Sequence, residues 1–175
     1  MQAIGFGPGT GPHNDKLLVN KADDHNTSLI MVIEIITEAL QLDIYGFGGI
    51  ATNKDYAGTA FRLSGRMWDL VKSNNLRNKG KNIWVYDSAE KVFAGVELEK
   101  PSGDNHGLET MTLRIDKYAY YKHIGSYNLL KHAGQQMRNF LTAQGHEVKL
   151  PYVEIYGHWT SDETKLETEL LMCLV

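Results

Sequence analysis

The stretch Tyr152-Val153-Glu154-Ile155-Tyr156-Gly157-His158 alternates as a β-strand does, sending Tyr152, Glu154, Tyr156 and His158 to one face and Val153 and Ile155 to the other. One face reads as core and the other as an aromatic surface around a single acid. Withdrawing an ionised carboxylate from water without a partner is costly. Two readings follow: an edge strand whose Glu154 points to solvent, or a site whose acid pairs, protonates or waits for a cationic ligand.

The same pattern stands earlier in the chain. A constant offset places Leu63 on Ala133, Met67 on Met137, Leu70 on Phe140, Val71 on Leu141, Ile83 on Val153 and Val85 on Ile155. Helical stripe and following strand keep one register, the mark of an internal duplication. Each copy begins with a run rich in β-branched and aromatic residues, Met31 to Ile50 and Glu109 to Lys122, read as one strand apiece. Gly46, Gly48 and Gly49 suggest a bend or bulge in the first. A helix over 58–73 with Thr59 as cap follows, then strands Asn82 to Tyr86 and Val92 to Leu98. In the second copy Ser126 caps a helix that stops at Gly145, and Tyr152 to His158 and Leu166 to Leu174 supply two strands.

The expected fold is α+β: two tandem pseudo-twofold βαββ repeats over 31–100 and 108–175, antiparallel sheets, two helices on one side and a central ligand cleft. The offset sets Trp84 in the first repeat on Glu154 in the second. Trp84 reads equally well as wall of a shared groove or as ordinary core. Residues 1–30 differ in character, with Gly5, Gly7, Pro8, Gly9, Gly11 and Pro12 followed by polar residues, and read as a disordered extension with little to bury. The glycines there lack the strand before, the helix after and the Lys-Ser/Thr pair of a phosphate loop.

The 175 residues fit one domain, and 42% hydrophobic with 22% charged content is ordinary for a soluble globular chain. A net charge of −3 argues against direct nucleic-acid binding. The only cysteine, Cys173, reads as a buried, inert thiol in a reducing, cytoplasmic setting. No apolar run approaches the roughly 18 residues of a membrane helix. The histidines and the cysteine show no metal-ligand spacing, so neither metal nor cofactor is expected.

Tyr118-Ala119-Tyr120-Tyr121-Lys122-His123-Ile124-Gly125-Ser126-Tyr127, Pro151 to Tyr156 as Pro-x-x-Glu-x-Tyr, and Ala94-Gly95-Val96-Glu97 together resemble the GyrI-like small-molecule-binding domains, the effector-binding modules of AraC-type and MerR-type drug-responsive regulators. The resemblance covers 31–175. It implies a bacterial module that binds cationic, aromatic or lipophilic ligands, with the acid role on Glu154 and a wall role on Tyr156. Tyr127 matches the aromatic strand-to-helix region, and Tyr120 belongs either to the cleft or to the opposite face. The Gly/Pro-rich residues 1–30 are not expected to form the DNA-binding helical domain that precedes the module in such regulators, which likens the chain to free-standing members, among them ones carried on integron gene cassettes.

The expected function is therefore noncatalytic binding or sequestration of cationic or amphipathic aromatic small molecules. Two alternatives stand beside it: a hydrolase in which Glu154 activates water on an electrophilic substrate, and a protein-interaction module of the gyrase-inhibitor type, as monomer or homodimer. Glu97 is a candidate second carboxylate, and His123 and His158 candidates for the groove rim. Asp162, Glu163, Glu167 and Glu169 read as a solvated acidic hairpin.

Overall fold

The computed structural model describes residues 15–20, 30–99 and 105–175. Along the described residues run β1 (Asp15–Asn20), β2 (Ile30–Ile36), β3 (Leu40–Ile50), α1 (Tyr56–Ser73), β4 (Asn82–Tyr86), β5 (Lys91–Val96), β6 (Glu109–Ile115), β7 (Tyr118–Ile124), α2 (Leu130–Ala143), β8 (Val148–Tyr156) and β9 (Glu167–Leu174). The fold is α+β, as the repeat predicts, but the strands form one antiparallel sheet in the order β1-β2-β7-β9-β8-β4-β5-β3-β6.

The two βαββ units are β3-α1-β4-β5 and β7-α2-β8-β9, each laying down three adjacent strands. The long opening runs, read as single strands, each divide in two. Residues 37–39 separate β2 from β3, and Asp116 and Lys117 separate β6 from β7. The leading strand of each pair crosses to the other unit: β2 pairs with β7, and β6 with β3.

Strand exchange dictates the shape of the sheet. In sheet order β2 and β3 stand six places apart, as do β7 and β6, about 29 Å at the usual inter-strand spacing. The connecting residues span roughly 15 Å and 11 Å at most. A flat sheet satisfies neither connection, so the sheet curls beyond its ordinary twist and brings its margins together. The helix-free face is thereby enclosed, and Ile44, Ile83, Val85, Val153 and Leu171 meet there in one core. Cys173 belongs to this core at 2% exposure, and burial pushes its thiol up to about 11.

The helices cover the opposite face. Met67 and Val71 of α1 pack with Tyr45, Phe47 and Val96, while Ala133, Met137 and Leu141 of α2 pack with Ile33, Ala119 and Leu170. Asp55, not Thr59, caps α1 by accepting the Gly58 N–H at 3.1 Å, because the helix begins at Tyr56. Ser126 accepts the Asn128 N–H at 3.4 Å and starts a 3-10 turn ahead of α2. Gly145 follows α2 with φ +82.

The units meet where β4 pairs with β8. The repeat carries Asn82 to Tyr152 and Tyr86 to Tyr156, whereas the pairing opposes Asn82 to Tyr156 and Tyr86 to Tyr152. Only Trp84 faces its own counterpart, Glu154. The pseudo-twofold axis therefore passes through that pair, perpendicular to the sheet, and keeps both helices on one face.

Two further expectations change. Residues 15–20 of the presumed extension form β1, paired with β2 from Asp15↔Ile35 to Asn20↔Ile30; its remaining residues 1–14 and 21–29 lie outside the described residues. The Gly46 to Gly49 stretch pairs with β5 without a register shift, and the irregularity falls instead between Lys149 and Tyr152. Gly46 answers a different need: a Cβ there would collide with the Ala94 carbonyl oxygen, and one on Gly95 opposite would lie 2.5 Å from the Tyr45 carbonyl oxygen. Gly46→Ala is expected to cost about 1–3 kcal/mol through overpacking. Gly65→Ala, on a helical position with open space around it, should gain about 0.5–1 kcal/mol. Denaturant unfolding of both variants measures the contrast.

Candidate functional site

Between the helices, above the β4–β8 seam, lies a cleft of about 1320 Å³. Alternation sends Trp84 and Tyr86 from β4, and Tyr152, Glu154 and Tyr156 from β8, into it, leaving Ile83, Val85, Val153 and Ile155 for the core behind. Tyr127 enters from the turn before α2, and Tyr56, Phe61 and Trp68 from α1. Exposed aromatics stand in its lining: Phe61 is 72% exposed and Trp159 76%.

Glu154 sits on the cleft floor at 8% exposure. Three phenols donate to its carboxylate: Tyr156 to Oε2 at 2.6 Å, Tyr86 to Oε2 at 2.8 Å and Tyr152 to Oε1 at 3.1 Å. Among the described residues no cationic side chain forms an ion pair with it. Burial first, then the Glu154 carboxylate, push all three phenols far above the ordinary tyrosine value. They remain protonated donors at neutral pH, so they solvate the acid without cancelling its charge.

The rings brace one another. Tyr156 leans on Trp84 with centroids 4.6 Å apart and takes the edge of Tyr127 at 5.3 Å; Tyr86 stacks on Tyr152 at 5.7 Å. Trp84 Nε1–H donates to Ser64 Oγ at 2.6 Å, and Ser64 donates to Asn82 Oδ1 at 3.1 Å. This bond ties the indole to α1 and leaves its ring to the cleft wall. In the second repeat Gly134 takes the place of Ser64, where a Cβ would lie 3.2 Å from the Tyr152 hydroxyl oxygen. The repeat is thus broken at its axis: an indole with a helix-borne acceptor on one side, an acid with room for phenols on the other.

Of the residues singled out in the sequence, Glu154, Tyr156, Trp84 and Tyr127 come together in the cleft. Tyr120 does not. It packs with the core on the helix-free face, because β7 alternation gives the helix side to Ala119 and Tyr121; burial pushes its phenol up to about 12. Glu97 is engaged by Lys79 at 3.0 Å, away from the cleft. His158 lies beyond β8 against Gly80. His123 is buried on β7, and that burial holds its imidazole below its usual value. Of the acidic run, Asp162 caps a 3-10 turn and pairs with Lys165, Glu167 pairs with Lys122, and Glu169 with Lys81. Among the described residues no group of three or more His, Cys, Asp or Glu is placed to hold a metal, and no helix is long and apolar enough to cross a membrane.

Tyr86 and Tyr152, two of the three phenols on Glu154, complete the site. Tyr152 shares the face of Glu154, so alternation alone announces it. Tyr86 follows from setting β4 against β8, a pairing that local pattern does not specify.

A family model for the GyrI-like small-molecule-binding domain matches residues 62–174. The C-terminal domain of EcmrR superposes with a TM-score of 0.64 at 13% identity, over 83% of this chain and 98% of that one. SAV2435, solved bound to tetraphenylphosphonium, gives 0.57 at 16%, over 83% and 93%. An integron cassette protein from the mobile metagenome of Vibrio cholerae gives 0.53 at 15%, over 83% and 95%. No curated protein matches by sequence.

Because the folded state holds the three phenolic protons more tightly than the unfolded chain does, their contribution to stability is complete below about pH 10 and falls as the pH rises past it. In an alkaline titration followed by tyrosinate absorbance, Tyr86, Tyr152 and Tyr156 should ionise only as the protein unfolds. Tyr156→Phe should cost about 2 kcal/mol in denaturant unfolding, the scale of a hydrogen bond to a charged group.

Proposed function

The chain belongs to the GyrI-like small-molecule-binding domain family, and from that premise we propose that its cleft binds cationic or amphipathic aromatic molecules without transforming them, with Glu154 as counter-ion. One observation carries this reading: a carboxylate at 8% exposure, with three protonated phenols on it and no ion pair to a side chain among the described residues. Its negative charge is held in place and left for a ligand to meet. A unit cation about 4 Å away gains roughly 4 kcal/mol of gross attraction at an effective dielectric near 20.

The walls favour the same class. Tyr86, Tyr152, Tyr156 and Trp84 present ring faces and edges around the acid, and cation–π attraction adds about 0.5–2 kcal/mol per well-placed ring. A delocalised cation loses little hydration on entry, whereas a compact ammonium loses much. The lipophilic cation bound by SAV2435, on the same fold, is of this chemical type. Binding is favoured over turnover because the groups touching Glu154 are phenols held protonated, so none of them offers Glu154 a second acid/base partner at neutral pH.

Thermal shift with lipophilic cations, neutral aromatics and anions tests the proposal. Cations at about 100 times their dissociation constant should stabilise the wild type by roughly 2.7 kcal/mol, and Glu154→Gln should abolish that selectivity while still folding. Equal stabilisation of both proteins by the cations would refute the counter-ion role. Steady product formation from an electrophilic substrate, lost in Glu154→Gln, would replace binding with hydrolysis.

A further inference from the structure

The charges around the cleft are not evenly placed. From α2, Lys131, Gly134, Gln135 and Arg138 line one wall, the spacing of a single helical face. Neither Lys131 nor Arg138 forms an ion pair among the described residues. Arg138 is half-buried and near enough to Tyr152 for its charge to favour that phenol's ionised form. Across the mouth, Asp55 is paired with Arg62 at 3.3 Å, while Asp87, which accepts the Ser88 N–H at 2.7 Å, and Lys54 add one charge of each sign. A buried acid thus lies beneath a wall of two uncompensated cations.

A plain lipophilic cation would meet repulsion from that wall on its way to the floor. A molecule that also carries an acidic group would turn the repulsion into attraction, and a guanidinium suits such a group because its planar fork matches two acceptor oxygens. We propose that the cleft takes dipolar aromatic ligands, with a cationic ring system over Glu154 and a carboxylate, sulfonate or phosphate against Arg138 and Lys131. This inference rests on the counter-ion role given above to Glu154 and narrows the ligand class from cations to amphoteric aromatics.

A matched pair of fluorescent probes tests it: N-propylacridinium and N-(sulfopropyl)acridinium share one ring cation, and the sulfonate stays ionised at all working pH values. Titration of the full chain should show the sulfonate probe binding about tenfold more tightly, the scale of one charge-assisted hydrogen bond, with the advantage shrinking as salt is added. Arg138→Gln should erase most of this advantage and tighten N-propylacridinium binding, Arg138→Lys should restore part of it, and Lys131→Gln should reduce it less. Glu154→Gln should weaken both probes. If N-propylacridinium binds in a Glu154-dependent way and the sulfonate adds nothing or weakens binding, the counter-ion role stands and the dipolar proposal falls. If Arg138→Gln weakens both probes equally, Arg138 serves packing and the proposal also falls. Failure of both probes to bind, or indifference of both to Glu154→Gln, would overturn the counter-ion role and this inference with it.

Discussion

The pairing of β4 with β8 holds this protein together and also makes its site. Five opposed residue pairs, from Asn82↔Tyr156 to Tyr86↔Tyr152, join two βαββ units across a pseudo-twofold axis. Along each strand one set of side chains turns into a dry core and the other into the space between the helices. Exchange of β2 and β6 locks the arrangement, since each unit is flanked by a strand supplied by the other. The short links between exchanged strands then force the sheet to curl. The enclosed core at Ile83, Val85, Val153 and Ile155 stiffens the backbone from which the cleft residues project, and a site built on paired strands is positioned more precisely than one built on loops.

Symmetry supplies the frame, and its breakage supplies the chemistry. Trp84 and Glu154 occupy equivalent positions at the axis, but their environments diverge. Ser64 takes up the indole N–H, while Gly134 leaves space near Tyr152 and so near the phenols that solvate the acid. A buried carboxylate without partners would be costly. Three neutral donors reduce that cost without pairing the charge, whereas an arginine in their place would have left nothing for a cation to answer. Donors that stay protonated because they are buried, around an acid that stays unpaired because they are neutral, form one mutually dependent arrangement.

Much of this was legible from residue patterns. The register linking Leu63, Met67 and Val71 to Ala133, Met137 and Leu141, and Ile83 and Val85 to Val153 and Ile155, revealed the duplication because apolar periodicity reports burial directly. It also set Trp84 against Glu154, which the pairing of β4 and β8 places face to face. Tyr120 shows where such reasoning stops: the face of β7 that turns to the helices depends on its register with β9 and β2, and local sequence permits either. Residues 15–20 stood inside a stretch read as polar, yet they form β1, which pairs with β2 and packs Leu17 against the core beneath the helices. Gly46 suggested a bend or bulge and proved to be a point of close backbone approach, a distinction visible only with Ala94 and Gly95 in place.

The sequence alone determined the periodicities, the duplication and the presence of a single acid among aromatics on one face of β8, because these depend on neighbours within a few residues or on the comparison of two similar segments. The tertiary structure alone decided the exchange of β2 and β6, the closure of the sheet, the approach of Tyr86 to Glu154 and the placing of Arg138 and Lys131 on the cleft wall. Those features arise from contacts between residues far apart in the chain, where choice among competing pairings rests on the free energy of the whole assembled core and not on the preference of any one segment.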